Sequence, residues 1–343
     1  MDAPKTLLEA VTFFADEDRA HKFAVEQRWP YGVACPRPGC GVANPQYIAT
    51  RKLWRCKECK RQFTVRVGTI FEDSPLPFSK WLPAVWFLTN TKNGTSSCEL
   101  ARALGVTQKT AWFMLHRVRE AMGTGEYAEK LSGYVEADET YIGGKAKNKQ
   151  ARPYTHQAEG GHRRRSKGPK HGKAIVLGMI ERYGGKVRAM TINQTTGAYL
   201  QARVRANVEA GSTVYTDAHG GYNRLNQDYT HYVIDHMVRY VEGHVHTNNI
   251  ENFWSCLKRT LAGTYISVRP FHLDAYVDEQ VFRFNEREDN DGGRFAKTLK
   301  GTDGRRLTYK ALISANPDGK TVRASGPRRV SKSRHDAQRN PII

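Results

Sequence analysis

Apolar positions along this chain of 343 residues recur at a helical period early and late, with strand-like apolar runs in between. Leu7, Leu8, Val11, Phe14 and Ala15 recur at helical spacing, so residues 1–32 read as a helical lead-in, with Phe23 and Trp29 beyond, that packs on the next element. After Ser74-Pro75-Leu76-Pro77 an apolar helix is predicted over about 81–88. Ser96 or Ser97 can cap a helix through Ala103, Leu104-Gly105-Val106 makes a turn, and Thr107 caps a second helix to about Met122. Strand signals follow at 134–142, and strands at 174–181 and 186–192 flank the hairpin signal Tyr183-Gly184-Gly185. Leu200, Val204 and Val208 mark a helix over about 197–210, and short strands come at 212–216 and 232–234. A helix holds the stretch from His246 to Arg259, and an amphipathic one runs over about 271–285. Beyond Asn290 the chain turns Gly- and Asp-rich, and after Pro317 it loses apolar periodicity while staying basic, so 291–343 reads as a basic tail, mobile or bound to nucleic acid.

Charge adds a partner to this picture. Lys and Arg total 54 against 34 Asp and Glu, a formal net charge of +20, which points to nucleic acid. At 39% hydrophobic the chain has ample material for packed cores, and wholesale disorder is excluded. No apolar run approaches the ~18 residues of a membrane span, and the amino end lacks the layout of a signal peptide. A reducing, cytoplasmic compartment is expected, in which cysteines are ligands or core thiols rather than disulfides.

Cys35, Cys40, Cys56 and Cys59 form a C-x4-C-x15-C-x2-C pattern, two short-spaced pairs that suit one structural Zn2+ in a zinc ribbon over 33–72. Within 73–124 the helix, glycine turn and helix have a helix-turn-helix layout, in which Gln108 and Lys109 would meet DNA. An ordinary helical hairpin shares that signature. The turn-rich stretch 143–173 carries Arg163, Arg164 and Arg165 among many basic residues and is either a solvated loop or a DNA clamp.

Three isolated carboxylates stand out. Asp138 falls mid-strand, Asp217 ends a later strand, and Glu251 lies one turn into the helix after His246, with Asn248 as its plausible N-cap. Glu139 competes with Asp138 but points to the opposite face. The element order over 130–290 is that of the ribonuclease H-like fold, an α/β (α+β) class with a mixed sheet flanked by helices. Acids converging there from two strands and a helix can hold two Mg2+ (or Mn2+) ions about 3.5 to 4 Å apart for an in-line phosphoryl displacement. Lys258, on the same side of the helix as Glu251, and Arg259 beside it are placed to touch phosphate.

Arg28-Trp29-Pro30-Tyr31-Gly32, the cysteine ribbon, Val67 to Glu72, Val135 to Gly144 and His246 to Trp254 together resemble the bacterial insertion-sequence transposases of the DDE class with an amino-terminal zinc ribbon, the ISXO2-like group. The likeness extends to about Asn285. It implies a cytoplasmic, nucleoid-associated enzyme that binds element ends and target DNA as a homodimer or larger assembly, cuts the ends and joins the freed 3′-hydroxyl to the target. By position its acids fall on Asp138, Asp217 and Glu251. In relatives the third position is sometimes an asparagine followed by a lysine, which leaves Asn248 or Asn249 as a rival to Glu251, and His246 and His219 as possible support. The first knuckle, Cys-Pro-Arg-Pro-Gly-Cys, is longer than the usual C-x2-C. Two other readings use the same residues: a DNA-binding regulator with a silent core, and a structure-selective nuclease on the same fold.

Overall fold

Successive residues of two neighbouring strands, β4 (Tyr134–Ile142) and β5 (Ala174–Glu181), point to opposite faces of a five-stranded sheet, and along β5 both faces are buried. The computed structural model describes residues 4–123, 129–143, 173–234 and 246–314. Arg163, Arg164 and Arg165 of the basic loop, and the chain from 315 on, lie outside the described residues.

The sheet runs β6 (Val187–Ile192), β5, β4, β7 (Thr213–Asp217), β8 (Thr230–Ile234). β4 pairs antiparallel with β5, and β5 with β6, whereas β4–β7 and β7–β8 are parallel. Counted from β4, this is the order 3-2-1-4-5 of a ribonuclease H-like domain. Val135, Ala137, Leu177 and Met179 face α6 (Gly197–Asn207) through Leu200 and Val204. Val176 and Ile180 face the other way, onto Ile250, Phe253 and Leu257 of α7 (Asn248–Thr260) and Val277 and Val281 of α8 (Leu273–Asn285).

A separate core gathers α1 (Leu7–Phe14), α2 (Glu17–Arg28), the ribbon strands β1 (Gln46–Ile48), β2 (Leu53–Arg55) and β3 (Gln62–Phe63), α3 (Phe78–Asn90), α4 (Ser97–Leu104) and α5 (Gln108–Met122). Ser96 caps α4 in a reciprocal box with Glu99, Gly105 takes the left-handed conformation at φ 61°, and Thr107 caps α5 by accepting from the Thr110 N–H.

Three expectations fail here. In α1, Leu7, Leu8 and Val11 stay exposed while Ala10 and Phe14 turn inward, because Phe14 packs against the rings of Phe23 and Phe295 and so sets the helix rotation. Residues 291–313 are not a tail: α9 (Asp291–Lys300) and α10 (Tyr309–Ile313) fold, with Phe295 and Leu299 in the amino-terminal core. Gly292 and Gly293 disguise this helix in the sequence, but they lie in its first turn, where the Asn290 side chain caps the Gly293 N–H. The third is the start of α7, whose N-cap is Thr247 rather than Asn248, so Glu251 sits one position later than a capping box needs.

Candidate metal centres and nucleic-acid surface

The ribbon's antiparallel strands bring the two cysteine pairs together. Sγ of Cys35 lies 3.9 Å from that of Cys59, Sγ of Cys40 lies 3.5 Å from that of Cys56, and all four sulfurs fall within 4.8 Å of one another. The long first knuckle is absorbed by a turn in which Cys40 N–H donates to Arg37 and Gly39 and Gly41 take φ of 77° and 59°. Burial pushes the Cys35 thiol up to about 12. The Cys56 thiol, against the burial that would raise it, is drawn down to about 7 by hydrogen bonds from the backbone of Cys59 and Glu58. Four free thiols this close fit a tetrahedral thiolate-bound Zn2+.

The acidic site is built on β4. Its parallel ladder with β7 ends at Glu136 and Tyr215, and extending that register by two residues sets Asp138 beside Asp217 at the end of β7. Carboxylate oxygens of Asp138, Glu139 and Asp217 lie within 4.8 Å of one another. Asp138 faces α7, where Trp254 Nε1 donates to its Oδ2 at 2.9 Å. Gly178, the β5 partner of Asp138, makes room for that indole: a Cβ there would stand 2.5 Å from Trp254. Glu139 faces the α6 side, as expected, beside the fully buried Tyr222, yet its carboxylate still reaches the cluster. Burial, and then the charges of Asp217 and Glu251, raise Asp138 to about 6. Burial above all, with Asp138 and Asp217 adding repulsion, raises Glu139 to about 8. A buried Glu139 Oε1 that meets no hydrogen-bond partner among the described residues, and mutually repelling carboxylates, fit a divalent cation with hard oxygen ligands.

Glu251 stands outside that group of three, exposed in the first turn of α7, with Thr247 Oγ1 donating to it at 3.3 Å. Its rivals are placed differently. Asn249 donates its side-chain amide to Glu136 at 3.0 Å, while Asn248 is exposed at the helix start. His219 Nδ1 accepts from Gly221 N–H at 3.2 Å, and its own N–H donates to Asp217 Oδ1 at 3.1 Å, so this histidine shapes the turn that presents Asp217. The His246 ring instead faces Glu136, 3.3 Å away. Lys258 and Arg259 are exposed in the last turn of α7. Gln108 and Lys109 are exposed at the start of α5, but Gln108 donates to Ser97 at 2.7 Å and the Lys109 ammonium sits 4.8 Å from the Tyr309 ring centre. From Ala111 on, α5 is largely buried, so only its first turn faces solvent.

Sequence reasoning gave no role to Glu136, Gly178, Trp254 or Tyr222. A glutamate inside an apolar strand is itself a signal, because a buried carboxylate needs several partners.

The strand order, with acids in the middle of β4 and at the end of β7, defines a ribonuclease H-like domain with a candidate metal centre, joined to a zinc ribbon. The ISXO2-like transposase domain family matches residues 130–285, and the transposase zinc-ribbon domain family matches 15–62. An "uncharacterized protein in transposable element ISH50" from Halobacterium salinarum is 29% identical over 255 residues, 73% of this chain and 84% of the relative. An "uncharacterized transposase-like protein" from Haemophilus influenzae is 32% identical over 104 residues, 30% of this chain and 84% of the relative. The chain belongs to the ISXO2-like transposases. Among solved structures, the Mos1 strand transfer complex matches at 12% identity and a TM-score of 0.19 over 63% of this chain and 78% of that one. A pre-cleavage Mos1 transpososome matches at 13% and 0.22 over 90% and 100%. At such scores the likeness adds nothing to what the strand order establishes.

Proposed function

We propose that this chain is the transposase of an insertion sequence, a polynucleotidyl transferase that binds the element's ends, cuts them and joins the freed 3′-hydroxyl to target DNA. The observation that carries the reading is the convergence of Asp138, midway along β4, with Asp217 at the end of the parallel strand β7, beside a helix that carries Glu251 in its first turn, in a chain of net charge +20. The three carboxylates would hold divalent Mg2+ or Mn2+, with Glu139 at their side. Such ions polarise the scissile phosphate and lower the pKa of the attacking hydroxyl or water. Trp254 Nε1 donates to Asp138 Oδ2 and so anchors this carboxylate against α7. Lys258, seven residues beyond Glu251 and so on the same helix face, would meet a non-bridging phosphate oxygen. In the first step a water oxygen bonds to phosphorus and the 3′ oxygen leaves. In the second, that 3′ oxygen bonds to a target phosphorus and the target's own 3′ oxygen leaves, so no covalent enzyme intermediate is needed.

The test is cleavage and joining of labelled DNA from the gene's own flanks with Mg2+ or Mn2+. Asp217→Asn and Glu251→Gln are expected to lose more than about a hundredfold of both activities, the scale of lost positioning in a reacting site, with DNA binding retained. Asn248→Ala is expected to keep them. Wild type that binds the ends but neither cuts nor joins them with either metal would instead identify a DNA-binding regulator.

A further inference from the structure

We propose that Glu136 is a positioning residue: it replaces the missing side-chain cap of α7 from the neighbouring strand and thereby fixes where Glu251 stands relative to Asp138. The inference rests on the reading of Glu251 as a metal ligand. A helix start presents N–H groups that must find acceptors, usually on the N-cap side chain. Thr247, the N-cap of α7, supplies none. Glu136 does so from β4: its Oε2 accepts from the N–H groups of Asn249 and Ile250, each at 3.0 Å. Its Oε1 accepts from the Asn249 side chain at 3.0 Å and from Arg182 Nε at 2.9 Å, with His246 Nδ1 at 3.3 Å.

Glu136 is fully buried, and Arg182 is held in turn by the face of Tyr215, 3.6 Å from its ring centre, and by the His246 carbonyl. A carboxylate at this helix end also favours the positive end of the helix dipole. Asp138 lies two residues further along the same face of β4 and accepts from Trp254. The central strand therefore grips α7 twice, at Asn249–Ile250 through Glu136 and at Trp254 through Asp138, and Glu251 lies between the two grips. A helix held at both ends of a single turn cannot rotate, so the Glu251 carboxylate is presented in one direction.

The experiment titrates Mn2+ against the zinc-loaded full chain, reading free manganese by electron paramagnetic resonance. Wild type, Glu136→Gln, Glu251→Gln and the double variant are compared, alongside their thermal unfolding. Glu251→Gln is expected to weaken Mn2+ binding about tenfold or more, and Glu136→Gln by a comparable factor, within the range for groups that orient metal ligands. In the double variant no further loss of affinity is expected, although the drop in melting temperature from Glu136→Gln persists. That pattern separates positioning from structural support. Unchanged affinity in Glu136→Gln, or losses that multiply in the double variant, would overturn the proposal. If Glu251→Gln itself left affinity untouched while Asp217→Asn abolished it, the third-ligand reading would be the part that failed, and this inference with it. Should Glu136→Gln not fold, Asn249→Ala removes one arm of the cap; a smaller loss that vanishes in the Glu251→Gln background supports the proposal, and one that remains there refutes it.

Discussion

Asp138 and Glu139 point to opposite faces of β4, and both carboxylates still converge with Asp217 beyond the end of the β4–β7 ladder, whose last pair is Glu136 and Tyr215. Burial works against their ionised forms, so folding holds Asp138 at about 6 and Glu139 at about 8, above the ordinary carboxylate range near 4. The sign follows from linkage. An acid with a raised folded pKa contributes stability that is complete below the unfolded value and is lost as pH rises through the folded one. Without divalent metal, the melting temperature of the zinc-loaded chain is therefore expected to fall between about pH 5 and pH 9 as these two groups ionise in turn. Glu139→Gln should flatten the alkaline part of that fall, and millimolar Mg2+ should restore stability most at the alkaline end. A melting temperature that rose with pH in metal-free buffer would contradict the burial argument.

Among the elements, the ribbon bears on more than its own loop. Trp54, Phe63 and Cys56 belong to the same core as Phe14, Trp81, Leu115 and Phe295, so the zinc-bound hairpin is one wall of the amino-terminal unit. Small metal-bound units commonly draw their folding energy from the ion. Cys56→Ser is expected to release zinc and unfold this unit while the sheet domain keeps a separate cooperative transition, read by metal analysis and by calorimetry. A variant that kept one zinc per chain would remove the ribbon from the account. The helix-turn-helix candidate is narrower than its sequence pattern implies. Past its first turn α5 is a core helix, and what it can offer DNA is Gln108, Lys109 and the residues around them.

On the scale of the whole molecule, the amino-terminal unit and the sheet domain meet through more than the chain between α5 and β4. Arg119 of α5 pairs with Glu279 of α8 at 2.5 Å, both buried, and Arg283 also reaches Glu279 and donates to the Leu88 carbonyl. α9 returns to the amino-terminal core, so the chain crosses this boundary more than once. These contacts tie α5 to the domain that carries the acids; under the proposed function they would set the distance between a bound DNA end and the cut. With a net charge of +20, affinity for DNA is expected to fall by at least about a hundredfold between ~50 and ~200 mM salt, measured by fluorescence anisotropy on end-sequence DNA. Binding indifferent to salt would rule out an electrostatic clamp.

Cysteine spacing, the strand-like apolar runs, the caps at Ser96 and Thr107 and the order of acids are local properties, and the sequence by itself determined them: each depends on residues a few positions apart. From them followed the ribbon, the ribonuclease H-like sheet and the candidate acids Asp138, Asp217 and Glu251. Tertiary structure alone decided what depends on partners distant in the chain. It capped α7 with Glu136, over a hundred residues earlier, where local pattern favoured Asn248. It drew Glu139 into the acidic cluster, required glycine at 178 beneath Trp254, and turned the stretch after Asn290 into a helix because Phe295 had a core to enter. Periodicity records which face of an element is apolar, whereas the partner that face or a buried charge meets is fixed only when the elements pack.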